Sequence, residues 1–274
     1  MRAGARAFFF MVAMVVSVTT VMASDLPTKK PPPAPIAVPP PSDWHFDLTG
    51  YGWALNLTGD TGFGPLPTTP FFVSFDDLLR HLDYVLMGRF VARNDTFIGG
   101  LDLFLSKVGT ATTFRDPSSR LFGVGADLSL KTSFATGFAG VRIPVGPPDL
   151  SLYGVVGARY VNLGDSLTLR TPVFGFSHTF SVTKDWADPV VGLAANYRIG
   201  DKWFVNAYAD VGGLSNSATG QTLAEVGYNW TASIATTLGY RVLYLYDKQN
   251  NAGNGSYRFQ SWIYGPTAGF RYSF

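Results

Sequence analysis

The sequence of 274 residues contains no cysteine and only three histidines, and its charged residues amount to 15%. The lack of cysteine excludes disulfides, zinc-thiolate sites and thiol nucleophiles. The charged fraction lies well below the roughly 25% of a soluble globular protein. Beyond the N-terminal segment no run reaches about 18 apolar residues, so no membrane-spanning helix is predicted there. Apolar residues nevertheless make up 46% of the chain, which indicates hydrophobicity distributed by alternation, as in lipid-facing strands.

The chain also lacks a strong charge of either sign. Its formal net charge is +2, and it falls to zero when Arg2 and Arg6, which lie in a predicted signal peptide, are removed. A neutral surface argues against nucleic acid as a partner, because binding to a phosphate backbone needs dense positive charge.

The N-terminus has the three parts of a secretory signal peptide. Arg2 and Arg6 precede an apolar run over 7–18, and Val21-Met22-Ala23 forms a small-residue cleavage site before Ser24. The sequence therefore predicts a signal peptide over 1–23, with a retained anchor helix as the alternative.

Proline dominates the following segment, 24–43, which contains two Pro-Pro-Pro runs. Proline fixes φ and has no N–H to donate, so the segment is expected to form extended polyproline II and to stay outside any sheet. A semi-rigid periplasmic linker is favoured over a docking motif for a partner.

From Trp44 to the end, the chain keeps a period of two, with apolar residues alternating with small or polar ones. The fold class predicted over 44–274 is all-β: an up-and-down antiparallel transmembrane β-barrel of ten strands, with eight as the alternative. The first strand loses its phase near Gly50, where a bulge would turn Tyr51, Trp53 and Leu55 to the lipid side. The predicted strands are 44–57, 84–92, 97–105, 122–138, 150–160, 191–199, 203–211, 224–230, 234–246 and 262–274.

The connections between the predicted strands alternate between short and long, the layout of a bacterial outer-membrane barrel with long external loops. Aromatic residues fall near both strand ends, as expected for belts at the two bilayer interfaces. The predicted belt residues are Trp44, Phe97, Trp203, Trp230 and Phe274 at the short turns and Trp53, Tyr84, Phe122, Trp186, Tyr244 and Trp262 toward the long loops.

The last strand, which alternates through Tyr264, Phe270 and Tyr272 and ends on Phe274, resembles the terminal strand that the barrel-assembly machinery recognises in outer-membrane barrels. The start Ser24-Asp25-Leu26-Pro27 resembles the mature start of α-proteobacterial surface barrels. The internal segments 75–79, 157–160, 184–192, 210–213 and 239–241 resemble a widespread, poorly characterised proteobacterial barrel family. The resemblance implies a Gram-negative outer-membrane location. It implies as partners outer-membrane lipid, lipopolysaccharide and, during biogenesis, the assembly machinery, with Tyr272 and Phe274 as the assembly signature.

No phosphate-binding loop, H-E-x-x-H or EF-hand motif occurs, so no cofactor, metal site or enzymatic activity is expected. The alternative is a surface hydrolase, an omptin-like protease or a lipid-modifying enzyme, which would use His81 and loop carboxylates. The favoured interpretation of 74–82 is an amphipathic loop helix capped by Ser74, with Asp77 at the capping-box position. The carboxylates of the alternative are Asp76, Asp77, Asp83, Asp185 and Asp188.

Charges of both signs fall on the predicted inner face. Because side chains nearly fill a narrow barrel, unpaired charges there would be costly, and a salt-bridged plug is favoured over an ion path. The expected function is a structural, adhesive or narrow-channel, porin-like role with a largely filled lumen. The predicted lumen charges are Arg89, Asp102, Asp127, Lys131, Arg159, Asp210, Arg241 and Arg271, with Arg198 and Glu225 on the same face.

Overall fold

The computed structural model describes residues 44–63, 69–115, 123–171, 176–251 and 255–274. The predicted signal peptide and proline-rich linker lie outside these residues. The described chain consists of strands and one short helix. Its elements are β1 (His45–Trp53), β2 (Asn56–Phe63), β3 (Thr69–Val73), α1 (Phe75–Arg80), β4 (Leu82–Arg93), β5 (Phe97–Arg115), β6 (Gly123–Ile143), β7 (Leu150–Thr171), β8 (Phe176–Ile199), β9 (Trp203–Gly212), β10 (Ser217–Asn229), β11 (Ile234–Asn251) and β12 (Gly255–Ser273).

The strands form a closed antiparallel barrel. Each strand from β4 to β12 pairs with its neighbour in sequence, and β1 pairs with both β4 and β12. β2 continues the first barrel strand beyond β1, and β3 folds back onto β2. The barrel therefore has ten strand positions, which confirms the predicted count.

The seam between the two ends of the chain is closed by regular pairing from Asp47↔Ser273 to Trp53↔Thr267. Phe46 and Phe274 add two reciprocal backbone hydrogen bonds of 3.0 and 2.9 Å at the short-turn end. Their rings stack with centroids 5.5 Å apart. The C-terminal residue is thus part of the closure.

Several predicted long loops are strand extensions in the structure. β5 and β6 pair as far as Arg115↔Gly123, and β7 and β8 as far as Thr171↔Phe176. These two connections are therefore largely paired hairpins that continue the barrel strands. Short turns join the strands at the other end, where Gly200 adopts φ of +63°, a left-handed conformation that favours glycine.

The exterior of the barrel is apolar along the middle of the strands. Outward side chains such as Leu86, Val156 and Leu238 are 61%, 64% and 67% exposed, respectively. The described belt residues at the short turns, Trp44, Phe97, Trp203, Trp230 and Phe274, are all exposed. Because an apolar exterior of this kind would be unstable in water, it indicates a surface that faces lipid.

The predicted facing is reversed in two places, in β1 beyond Gly50 and along β6. β1 runs without a register shift through Gly50, so the predicted bulge is wrong and Trp53 points into the lumen, 3% exposed. On β6, Phe134 is 1% exposed and stacks inside on Phe104, while Lys131 is exposed. Both errors arise because the lumen is aromatic at this height, so an apolar alternating set does not distinguish the lipid side from the inside.

The described part of the interior contains two hydrophobic clusters at different heights. The cluster toward the external end is built around Trp53, Phe104, Phe134, Leu243 and Leu245. The cluster toward the short turns contains Ile98, Tyr153, Val155 and Ala194. Among the described residues, no helix has the length and apolarity needed to cross a bilayer.

Candidate functional site in the barrel interior

The lumen near the short turns contains a charge cluster centred on Asp47. Arg93 lies 3.3 Å from one carboxylate oxygen of Asp47, and Arg271 lies 3.8 Å from the other. Arg271 also donates to the Asn229 side chain at 2.8 Å, and its guanidinium lies 4.0 Å from the Phe204 ring centre. The ring face gives this guanidinium a cation–π contact, and Asp47 gives it a partner of opposite charge.

Above Asp47, an ion pair crosses the lumen between Arg89 and Glu225. Arg89 on β4 donates to Glu225 on β10 at 2.5 Å, and their side chains are 14% and 3% exposed. β4 and β10 are not neighbours in the sheet, so the pair connects two separate parts of the barrel wall.

Arg159 on β7 forms the most buried ion pair. It lies 2.6 Å from Asp210, and both side chains are 0% exposed. The guanidinium also donates to the hydroxyl oxygens of Thr136 at 3.0 Å and Thr219 at 2.6 Å. Its three nitrogens therefore each have a partner on a different strand.

Arg241 on β11 occupies the centre of the lumen at a similar level. It donates to the Tyr51 hydroxyl at 2.7 Å and to Gln221 at 2.6 Å, and it lies 3.2 Å from Asp102. Tyr51 in turn donates to Asp102 at 2.6 Å. The charge is thus held by one carboxylate and two neutral polar groups from three other strands.

An aromatic layer lies directly against Arg241. Its guanidinium is 4.8 Å from the Trp53 ring centre and 5.4 Å from that of Phe134. Phe104 and Phe134 stack in parallel with centroids 4.4 Å apart, and Trp53 meets both edge-on. This layer marks the point where the lumen changes from polar to apolar.

The interior space differs in size on the two sides of this layer. The polar cavity toward the short turns has a volume of about 80 Å³, enough for a few waters. The cavity toward the external end has about 620 Å³ and is bordered by α1. The described interior is therefore filled where it is charged and open where it is apolar.

The structure brings six of the eight predicted lumen charges inside, namely Arg89, Asp102, Arg159, Asp210, Arg241 and Arg271. Lys131 is exposed on the other face of β6, so its assignment to the lumen is wrong, for the reason given for that strand. The side chain of Asp127 lies outside the described residues. Arg198 is at the short-turn rim, where it pairs with Asp149 at 3.5 Å and both side chains are more than half exposed.

Sequence reasoning missed Asp47, Tyr51, Trp53 and Gln221 as interior residues. Asp47, Thr49, Tyr51 and Trp53 occupy every second position of β1 and so lie on one face of the strand. The bulge assumed at Gly50 broke this series and hid the shared face of these residues. Gln221 lies on β10 beyond the predicted start of its strand.

The external segment 74–82 forms the predicted capped helix. Ser74 accepts a hydrogen bond from the backbone N–H of Asp77 at 3.2 Å, and it donates to the Asp77 carboxylate at 2.6 Å. This hydrogen bond holds the pKa of Asp77 below its usual value. His81 lies 2.8 Å from the Asp77 carbonyl oxygen, at the C-terminal end of the helix.

The carboxylates suggested for a hydrolase have separate partners. Asp76 pairs with Arg80 at 2.8 Å, and Asp83 pairs with Lys107 at 2.6 Å. Asp188 is buried, where it accepts hydrogen bonds from Trp186 and Ser217. Among the described residues, no group of three or more His, Asp or Glu side chains has the arrangement of a metal site.

The chain was compared with known proteins. No protein-family model matches it, and no curated protein matches it. The outer-membrane protease OmpT from Escherichia coli is similar in structure, with a TM-score of 0.56, 11% identity, and coverage of 85% of this chain and 97% of OmpT. Neisserial surface protein A is also similar in structure, with a TM-score of 0.28 and 14% identity. The match covers 85% of this chain and 98% of that protein.

The likeness to OmpT shows a shared fold. The closed ten-stranded sheet, the apolar exterior and the aromatic residues at the short turns are the features of a barrel that spans the outer membrane. The protein is an outer-membrane β-barrel of a Gram-negative bacterium.

Proposed function

We propose that the protein is a non-enzymatic structural or adhesive barrel that presents its external hairpins at the cell surface, and that its lumen is plugged. The observation that carries the proposal is the pair of arginines at the centre of the lumen. Arg159 is 0% and Arg241 is 1% exposed, and each has partners on several strands.

The arrangement of charge supports a plug rather than a conducting path. A selective pore presents rings of one charge sign to the passing solute. Here each buried cation has a carboxylate within 4 Å, so the charges neutralise each other across the lumen. An ion that entered would have to displace these partners and would leave a buried charge uncompensated, which costs several kcal/mol.

The proposal includes the partners and the relatives expected from the sequence. The apolar exterior supports contacts with outer-membrane lipid and lipopolysaccharide, and the exposed Tyr272 and Phe274 support recognition by the barrel-assembly machinery. The start Ser24-Asp25-Leu26-Pro27 and the internal segments 75–79, 157–160, 184–192, 210–213 and 239–241 support membership of a proteobacterial, α-proteobacterial-type barrel family.

Solute flux into liposomes tests the plug. Vesicles that contain the purified wild-type barrel should be as impermeable to a small sugar as empty vesicles, whereas vesicles with a general porin should swell rapidly. Sugar entry at a rate near that of the porin would contradict the proposal.

A peptide-hydrolysis assay tests the absence of enzymatic activity. OmpT is an outer-membrane protease, but the likeness at 11% identity concerns the fold. Folded protein should leave a mixed peptide substrate intact, as should the His81→Ala variant. Cleavage by the wild type that His81→Ala abolishes would favour the hydrolase alternative.

A further inference from the structure

The barrel wall is interrupted between its first two strands. Pairing between β1 and β4 ends at Gly50↔Gly88. Beyond this point the first barrel strand continues as β2, which pairs with β12 and β3, whereas β4 continues to Leu82 in contact with β5. In the described part of the chain, no pairing joins this upper edge of β4 to β2 or β3.

Val85 is accessible where this pairing ends. Val85 belongs with Met87 and Arg89 to the residues of β4 that face inward, yet it is 40% exposed. Ser106, its partner on β5, is 8% exposed. An inward residue is left accessible because the strand that would cover it has turned away.

The apolar cavity of about 620 Å³ passes through the opening. Its lining includes Leu238 and Ala268 on the lipid-facing surface as well as Trp53 and Phe104 inside the lumen. The aromatic layer forms its inner wall, and α1 borders it through Phe75, Leu78 and Leu79. Its volume lies within the roughly 300–1,000 Å³ of pockets that bury small ligands.

The lining is almost entirely apolar. Apart from His81, the lining residues in the described chain carry no titratable side chain. The nearby charged groups are already paired, Arg80 with Asp76 and Lys107 with Asp83. The cavity therefore offers no counter-ion to a charged ligand, and its chemistry fits a hydrocarbon.

The depth of the opening identifies the source of that hydrocarbon. Gly52 is eight residues along the strand from the interfacial Trp44, which is about 26 Å at 3.3 Å per residue. A strand tilt of about 40° reduces this to a height of about 20 Å within an apolar band of about 25 Å. The opening therefore lies in the outer leaflet, where acyl chains surround the barrel.

We propose that the opening between β1 and β4 admits one acyl chain of an outer-leaflet lipid into the cavity, where it lies against Trp53 and beneath α1. Burial of the chain is favourable because the cavity is apolar and offers water few hydrogen-bond partners. The site goes beyond the proposed plug, since the plug closes the lumen below the aromatic layer and the acyl site lies above it.

Fluorescence quenching by lipids with brominated acyl chains tests the site. The chain has six tryptophans, so a variant that keeps Trp53 can be made by changing the other five to phenylalanine: Trp44, Trp186, Trp203, Trp230 and Trp262. In brominated vesicles the emission of Trp53 should fall by a factor similar to that of a variant that keeps the lipid-facing Trp203 instead. In a tryptophan-free background, Phe204→Trp places a reporter inside a continuously paired wall, and it should keep its emission.

Two glycines on the outer side of β1 provide a matched pair of blocking variants. A side chain at either Gly50 or Gly52 would enter open space, since nothing lies within 4 Å of a Cβ at either position. Gly52 lines the cavity, whereas Gly50 is at the last paired position below it. Gly52→Phe should therefore protect Trp53 from quenching, and Gly50→Phe should not.

Emission from Trp53 as stable as that from the Phe204→Trp reporter would overturn the proposal. Quenching that is equal in the Gly52→Phe and Gly50→Phe variants would also overturn it, because the chain would then enter elsewhere. The wild-type protein allows an independent measurement if the tryptophan variants fail to fold. A lipid with a photoreactive group in its acyl chain should label the inward residues Met87 and Phe104, and labelling confined to outward residues would contradict the site.

Discussion

Replacing Arg159 with alanine should destabilise the barrel by about 3–5 kcal/mol, the usual cost of breaking a buried ion pair by removal of one partner. The Arg159 and Asp210 side chains are both 0% exposed, so no bulk water replaces the lost guanidinium. The substitution also removes the hydrogen bonds to Thr136 and Thr219. Asp210 would be left as a buried carboxylate without its cation.

The chain contains its own control for this prediction. Arg198 forms a comparable ion pair with Asp149, but these side chains are 67% and 58% exposed. Exposed pairs contribute about 0–1 kcal/mol, so Arg198→Ala should be nearly neutral. Urea unfolding in lipid vesicles, followed by tryptophan emission and by heat-modifiable mobility on gels, measures both variants under the same conditions.

A double substitution separates burial from pairing. If Arg159→Met is combined with Asp210→Leu, no buried charge is left without a partner, and the loss should be much smaller than for Arg159→Ala. Equal stability of the Arg159→Ala and Arg198→Ala proteins would refute the reasoning, because it would mean that water reaches the pair.

Three further predictions concern export, assembly and packing. Mass spectrometry of protein from the outer-membrane fraction should find Ser24 as the first residue, and an intact N-terminal methionine would contradict the predicted signal peptide. Deletion of Phe274 should lower the yield of heat-modifiable barrel because it removes the reciprocal bonds at the seam, whereas Lys248→Ala should not; equal yields would count against the assembly signature. Gly227→Leu should cost about 1–3 kcal/mol through overpacking, since a side chain there would overlap the buried Phe204 ring, and an unchanged unfolding midpoint would show that the ring can move.

The strand count and the outward or inward direction of most side chains were predictable, because a side chain that faces lipid must be apolar. A side chain on the outer face meets hydrocarbon, so Leu101, Val191 and Leu238 could not be replaced by polar residues without cost, and they reveal the phase of their strands. Arg159 and Arg241 were assigned to the lumen by the same reasoning.

The aromatic layer was not predictable from alternation. Trp53 and Phe134 are as apolar as a lipid-facing residue, yet they point inward, where both contact Arg241 on β11 and Phe104 on β5. Such contacts have no local signature. The same holds for the opening above Gly50, which depends on how β2 and β3 pair rather than on the residues at the edge.

The sequence indicates which charged residues face the lumen, but it does not indicate which of them form ion pairs with each other. Alternation places Asp102, Asp210 and Glu225 on the inner face, yet the barrel's stagger decides which arginine each one meets. The pairing of Arg89 with Glu225, 136 residues apart, follows from that stagger.

The plugged lumen is tested most directly by single-channel recording of the wild-type barrel in a planar bilayer. With Arg159 and Arg241 at the centre of the lumen and a polar cavity of only about 80 Å³ below the aromatic layer, the current should stay at the baseline of the empty membrane. Large and stable conductance steps of porin size from the folded wild-type protein would contradict the plug and identify the barrel as a channel.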